Sequence, residues 1–157
     1  MSSRQRKMHV DPYERAWMIV SVITLAGFLI AITIAGLAGG IQVPGPEQQE
    51  NPNIVATQGP IAEPGLRELA PGKYEAYVVA RTFQFIPRDI TIPVGSEVKF
   101  YVTSIFVQHG FKITETNVNM MVIPGQVSTM RAIFDEPGEH LIICHEYCGA
   151  GHAAMFG

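Results

Sequence analysis

Only two cysteines stand among the 157 residues, which excludes a disulfide framework and leaves thiolate reactivity or metal binding as their use. Charge is scarce too: 16% of positions are charged, against the usual quarter, and the formal net charge is -3. A disordered chain would be more polar and a nucleic-acid-binding chain more basic, so both classes are excluded. Tryptophan occurs once, at Trp17. The length allows one ordinary domain with an appendage.

What is abundant is apolar surface, and it is unevenly placed. From Ala16 to Ala38 the sequence carries no charge, close to the roughly 20 apolar residues a bilayer-crossing helix needs. A cleaved secretory signal is the competing reading, since Arg4, Arg6 and Lys7 form a basic n-region and Ala35, Gly36 and Ala38 suit a peptidase. Signal h-regions run only about 7 to 15 residues, however, and Trp17 fits an interfacial anchor. Arg4, Arg6, Lys7 and Arg15 precede the run and the next basic residue is Arg67, so the N-terminus is expected in the cytoplasm and the C-terminal portion outside it. The expected organisation is a cytoplasmic segment 1–15, a transmembrane helix 16–38, a linker 39–72 and a domain 73–157. Six of the eleven prolines fall in 41–72, interleaved with Gly45, Gly59, Gly65 and Gly72, so neither helix nor ladder is expected there.

From Lys73 onward, short β-branched runs alternate with Pro/Gly punctuation. Strands are predicted at Tyr74–Ala80, Asp89–Ile92, Glu97–Thr103, Phe111–Thr114, Val118–Ile123, Thr129–Phe134 and His140–Ile143, the pattern of an all-β sandwich.

The densest set of metal donors is Cys144-His145-Glu146-Tyr147-Cys148-Gly149-Ala150-Gly151-His152-Ala153-Ala154-Met155, directly after a predicted strand. Thiols with imidazole and a weak thioether favour copper, whereas calcium and magnesium want oxygen donors. A mononuclear blue-copper site uses one Cys, so the second thiol points to two thiolates bridging two copper ions, each with a terminal imidazole. His152 supplies one. His109, at a strand end in Ser-Ile-Phe-Val-Gln-His-Gly-Phe, is the natural candidate for the other. A disulfide between the two cysteines and a zinc site of both cysteines with His152 and His109 are the competing readings; zinc leaves Met155 without a purpose.

The motif Cys-x-Glu-x-Cys-x-x-x-His-x-x-Met, with Val-x-His-Gly-Phe upstream and one N-terminal span, resembles subunit II of a haem-copper cytochrome c oxidase, and most of all the compact single-span subunits of the B family (the ba-type oxidases). The resemblance also runs through Tyr13 to Trp17, Pro87 to Gly95 and Pro124 to Thr129. It implies a cupredoxin-like Greek-key β-sandwich behind one transmembrane α-helix, in a prokaryotic plasma or inner membrane. It implies a binuclear CuA centre in which Cys144 and Cys148 bridge two copper ions, His109 and Met155 complete one, and His152 and the Glu146 carbonyl complete the other. The implied function is electron entry: acceptance of electrons from a soluble cytochrome c and delivery to haem in subunit I, supporting proton-pumping reduction of oxygen to water. The Glu146 side chain has a further implied role, magnesium at the subunit I boundary, although compact relatives usually carry Gln there. Glu14 resembles the mouth of a proton pathway and reads equally as a snorkelling charge at the membrane face.

Three departures from the family stand out. Phe106 occupies the place of an acidic residue often proposed near the docking surface. Phe83 and Phe85 stand where better-known enzymes carry an electron-entry Trp cluster. The sequence stops at Gly157, where relatives continue into a short strand. After residue 40 there are seven basic and twelve acidic residues, a net of -5, against four and two, +2, in the first forty. An acidic face would steer a basic cytochrome, while the loss of acid at Phe106 shifts the expectation to apolar docking through Phe83, Phe85 and Phe106. His140 and His145 are not expected to be ligands, His9 is a tail residue, and Met120 and Met121 are strand residues with one side chain in the core. The competing functions are the CuA subunit of a nitric oxide reductase and a membrane-anchored copper chaperone, which would have a helix-rich thioredoxin-like domain. A quinol oxidase subunit is disfavoured, since such proteins have typically lost these ligands.

Overall fold

The structure, a computed structural model, describes residues 10–40, the backbone of 45–49, and residues 54–157. The chain forms two compact units, residues 1–41 and 42–157.

In the first, helix α1 (Pro12–Ala38) starts ahead of the expected Ala16 because Asp11 caps it: its carboxylate accepts from the Tyr13 N–H at 2.8 Å, and Pro12 takes the first helical position. At about 1.5 Å per residue the helix runs about 40 Å, enough for a hydrocarbon layer of about 30 Å. None of its residues is buried, and the mean hydropathy of its most apolar window is 2.6. Leu25, Leu29, Ile32 and Leu37 are all exposed, a surface that water would not tolerate and lipid would. His9 lies outside the described residues.

The second unit is a β-sandwich. Its larger sheet runs in the order β1 (Gly45–Gln49), β8 (Gln126–Phe134), β5 (Ser96–Ser104), β3 (Lys73–Arg81), β2 (Gly65–Ala70), with β4 (Gln84–Ile86) hairpinned onto β3. The smaller sheet is β7 (Asn119–Val122), β6 (His109–Ile113), β9 (Ile142–Ile143). Among these strands only β3 and β5 pair in parallel. Alternation sets the inner face: Val98, Phe100 and Val102 of β5 and Met130, Ala132 and Phe134 of β8 point inward, while Lys99, Arg131 and Ile133 point away. Phe111 from the small sheet meets Phe85 edge-on, ring centroids 5.4 Å apart, and leans on Phe100 at 5.9 Å. This is the all-β, cupredoxin-like architecture expected.

Strand β3 is buried on both faces. Ala76, Val78 and Ala80 enter the main core; Tyr77 and Val79 form a second cluster with Val55, Ile61 and Val127. That second cluster corrects the reading of 39–72 as a linker without ladder, because residues from this stretch cover the outer face and supply β1 and β2. Both are edge strands, where proline and glycine are tolerated because only one side of the ladder must pair. Arg67 ties the stretch down, donating to the Pro60 carbonyl at 3.0 Å and the Glu63 carbonyl at 3.1 Å and covering the Tyr77 ring. Tyr77 stacks on Tyr101, and both hydroxyls donate to Glu75, at 2.6 and 3.0 Å. Burial and then the Glu75 carboxylate push the Tyr77 phenol well above its ordinary range; burial also raises Tyr101.

A second correction concerns Asp89–Ile92, which has no ladder. Pro87 and Pro93 flank it and remove the donors that would begin and end one. The remaining predicted strands exist with shifted ends: β6 starts two residues earlier, at His109, β8 starts at Gln126, and of His140–Ile143 only the last two residues pair.

Candidate metal centre

The donors come together at one end of the sandwich. His109 opens β6, paired with Val122 of β7, and is fully buried. Cys144 follows β9 at once, and the chain then loops out and returns: the Cys144 N–H donates to the Met155 carbonyl at 3.3 Å, and Ile142 and Gly157 exchange both backbone bonds at 2.8 and 2.9 Å. This closure brings both ends of a twelve-residue loop to the same strand end. Within the loop, the His152 N–H bonds the Gly149 carbonyl and begins a 3₁₀ turn, His152–Ala154.

Around the free thiols of Cys144 and Cys148 the donor atoms form a chain. Cys144 Sγ lies 3.7 Å from His109 Nδ1, 3.3 Å from the Glu146 carbonyl and 3.8 Å from Cys148 Sγ; Cys148 Sγ lies 3.6 Å from His152 Nδ1 and 3.7 Å from Met155 Sδ. The sequence-predicted residues His109, Cys144, Glu146, Cys148, His152 and Met155 thus form one continuous cluster, in which the donor atoms of His109, Cys144 and Cys148 lie within 4.8 Å of one another. A tetrahedral metal with bonds of about 2.3 Å to sulfur spaces its ligands about 3.8 Å apart, so these separations fit donors that share ions. Six donors, two of them central thiols, exceed what one tetrahedral ion takes and fit two ions bridged by sulfur.

The electrostatics agree. Burial, and secondarily the nearby His152, lowers the His109 pKa and keeps its imidazole neutral. His109 turns Nδ1 toward the Cys144 thiol, while its Nε2 is buried with no hydrogen-bond partner among the described residues. Burial and the neighbouring Cys144 push the Cys148 thiol up to about 11, so the metal-free thiol is protonated at neutral pH.

His140 is elsewhere: its Nδ1 contacts the Thr114 carbonyl at 3.1 Å and its ring meets Phe134 edge-on. His145 is an exposed residue whose ring lies on the backbone of Gly110, where an added Cβ would meet it at 2.6 Å, and its Nδ1 is 3.7 Å from the Glu146 carboxylate. Met120 is core and Met121 exposed. Glu14 sits in the exposed first turn of α1.

Phe85 needs correction as a docking residue: it is 2% exposed and belongs to the core. Phe106 and Phe83 do reach the surface. Sequence reading missed Tyr147, 79% exposed with its ring 5.9 Å from that of His152; an aromatic residue inside a ligand motif was the available signal.

Comparison with known proteins places this geometry. The family described as cytochrome c oxidase subunit II, periplasmic domain, matches residues 74–156. A cytochrome c oxidase subunit 2 of Thermus thermophilus is 42% identical over 149 residues, covering 92% of this chain and 89% of that one. A second Thermus thermophilus subunit 2 sequence is 42% identical over 129 residues, covering 81% and 96%. A cryo-EM structure of a heme-copper terminal oxidase dimer contains a chain that aligns with a TM-score of 0.73 at 33% identity, covering 92% of this chain and 96% of its own.

Proposed function

The chain belongs to the cytochrome c oxidase subunit II family, and on that premise we propose that residues 73–157 hold a binuclear CuA centre through which electrons enter the oxidase. The observation that carries the reading is the row of donors spaced 3.6 to 3.8 Å around two adjacent free thiols. In this reading Cys144 and Cys148 would be shared by both ions, His109 and Met155 would complete the donors of one, and His152 and the Glu146 carbonyl those of the other. When bound, such a copper pair supplies one-electron redox chemistry.

The chain's own residues make that chemistry a relay. His109, Cys144, Cys148 and Met155 are each 6% exposed or less, so they exclude water and restrict ligand movement. A frame that moves little on reduction lowers the barrier to passing the electron on. The single apolar helix anchors the domain at the membrane, with the N-terminus cytoplasmic and the domain on the periplasmic side. There the partner of the domain is subunit I, which receives the electron at its haem. The Glu146 carboxylate, beside His145, is the side chain available for magnesium at that boundary.

The donor is a soluble cytochrome c, and the docking surface is apolar. Phe83, Phe106, Val107 and Tyr147 are all exposed, and each lies within three residues of a proposed ligand or touches the ligand loop. A membrane copper chaperone fits poorly, because its helix-rich domain is replaced by two sheets. The nitric oxide reductase variant differs in its subunit I, and co-purification of that subunit separates the two.

The test is anaerobic mixing of the copper-loaded full chain in detergent with reduced cytochrome c. About one equivalent should be oxidised per chain, with a rate only weakly dependent on salt. Absence of oxidation refutes electron entry, and a steep salt dependence refutes apolar docking.

A further inference from the structure

Phe83 occupies an unusual place. It forms the β3–β4 turn with Thr82 and has φ 67, a left-handed backbone that bulky L-residues rarely adopt and that Gly or Asn enters without strain. Its ring is not part of the main core, unlike that of Phe85 two residues on. Instead it lies against the ligand loop: a Cβ on Gly151 would stand 2.5 Å from Phe83 Cγ, and one on Gly149 3.3 Å from the ring's far edge. Gly149 itself has φ 126. These two glycines are the residues between Cys148 and His152 that can let a ring rest on their backbone. A strained turn residue whose side chain is spent on one contact points to a purpose at that contact.

We propose that Phe83 is a positioning residue that clasps the Cys148–His152 turn, holding the His152 imidazole and, through the 3₁₀ turn, the Met155 sulfur in register with the thiols. The inference rests on the copper reading for its purpose but not for its geometry. Without the ring, Gly149 to Gly151 would have open space on one side, and backbone with two glycines explores such space freely. Both thiols are buried in the core, but Cys144 directly follows β9, outside the Cys148–His152 turn.

The experiment uses the full chain in detergent with Phe83→Gly, Phe83→Tyr and Gly151→Ala. Phe83→Gly removes the ring and also the left-handed strain, so the fold itself is not put at risk. In the metal-free protein, alkylation of the Cys148 thiol should accelerate several-fold in Phe83→Gly, with Cys144 little changed and Phe83→Tyr near wild type. After copper loading, release to a chelator should accelerate several-fold in Phe83→Gly and the copper hyperfine pattern should change. Gly151→Ala should have a similar effect in the wild-type background and none on top of Phe83→Gly, because the clash partner is then gone. Wild-type alkylation and release rates in Phe83→Gly, or a Gly151→Ala effect that is the same in both backgrounds, would overturn the clasp. Failure of the wild-type chain to bind two coppers would overturn the copper reading instead, and the alkylation comparison would still decide the clasp.

Discussion

The two imidazoles of the proposed centre live in unlike surroundings. His109 is a strand residue, fully buried, with one ring nitrogen aimed at a thiol and the other without a hydrogen-bond partner among the described residues. His152 opens a 3₁₀ turn on a glycine-flanked loop, is half-exposed, and has Tyr147 beside it. One half of the site is thus fixed by the sheets, and the other by loop contacts that face the surface. The difference teaches how one site can hold metal tightly and still be within reach of a partner: retention belongs to the strand-held half, and electron exchange to the turn-held half.

The largest effect that could break this contrast is unequal loss on removing each histidine. His109→Ala should abolish the two-copper spectrum and should not be rescued by added imidazole, since nothing in solution reaches a fully buried position. His152→Ala should keep both coppers with an altered spectrum, and imidazole should restore it. Equal losses, read by metal analysis and optical absorption, would erase the distinction.

Next in size is a contrast between neighbours in sequence. Phe85→Ala leaves a cavity against Phe111 and should cost about 3–5 kcal/mol in denaturant unfolding of the metal-free chain. Phe83→Gly, on the surface side of the same hairpin, should leave the midpoint nearly unchanged while disturbing the metal site. A large loss from Phe83→Gly would make it a core residue after all.

A smaller effect is alkaline sensitivity. The Cys148 thiol rises from 9.0 to about 11 on folding, and Tyr77 and Tyr101 also rise. A raised folded pKa means that the folded state binds more protons than the unfolded one, so the Cys148 contribution is complete below about pH 9 and is lost as pH climbs through about 11, with the two tyrosines acting in the same direction at alkaline pH. Thermal unfolding of metal-free chain should therefore move to lower temperature across that window. Copper loading, which needs the thiolates, should weaken in the opposite direction, as pH falls. The smallest expected effect is none: His140→Gln should leave the copper spectrum intact, and loss of the signal would overturn the ligand assignment.

The donor cluster of the candidate metal centre was more legible in sequence than the fold around it. Five of its six donors fall within twelve residues, so their spacing announces them; His109 is thirty-five residues away and was visible only because a thiol pair needs a second imidazole. The inner strands announced themselves by alternation, as in Val98, Phe100 and Val102. The edge strands β1 and β2 did not, because an edge tolerates the Pro and Gly that read as linker. Asp89–Ile92 had the composition of a strand but lacked the donors that its flanking prolines remove. Phe85 and Phe83 are indistinguishable in the sequence, since burial and a left-handed φ are decided by the turn they share.

The most direct test of the central claim is metal analysis combined with low-temperature EPR on the full chain loaded with copper in detergent. The account predicts two coppers per chain and a signal in which one unpaired electron is shared equally by two copper nuclei. A signal confined to a single copper nucleus, or stoichiometric zinc in its place, would contradict it.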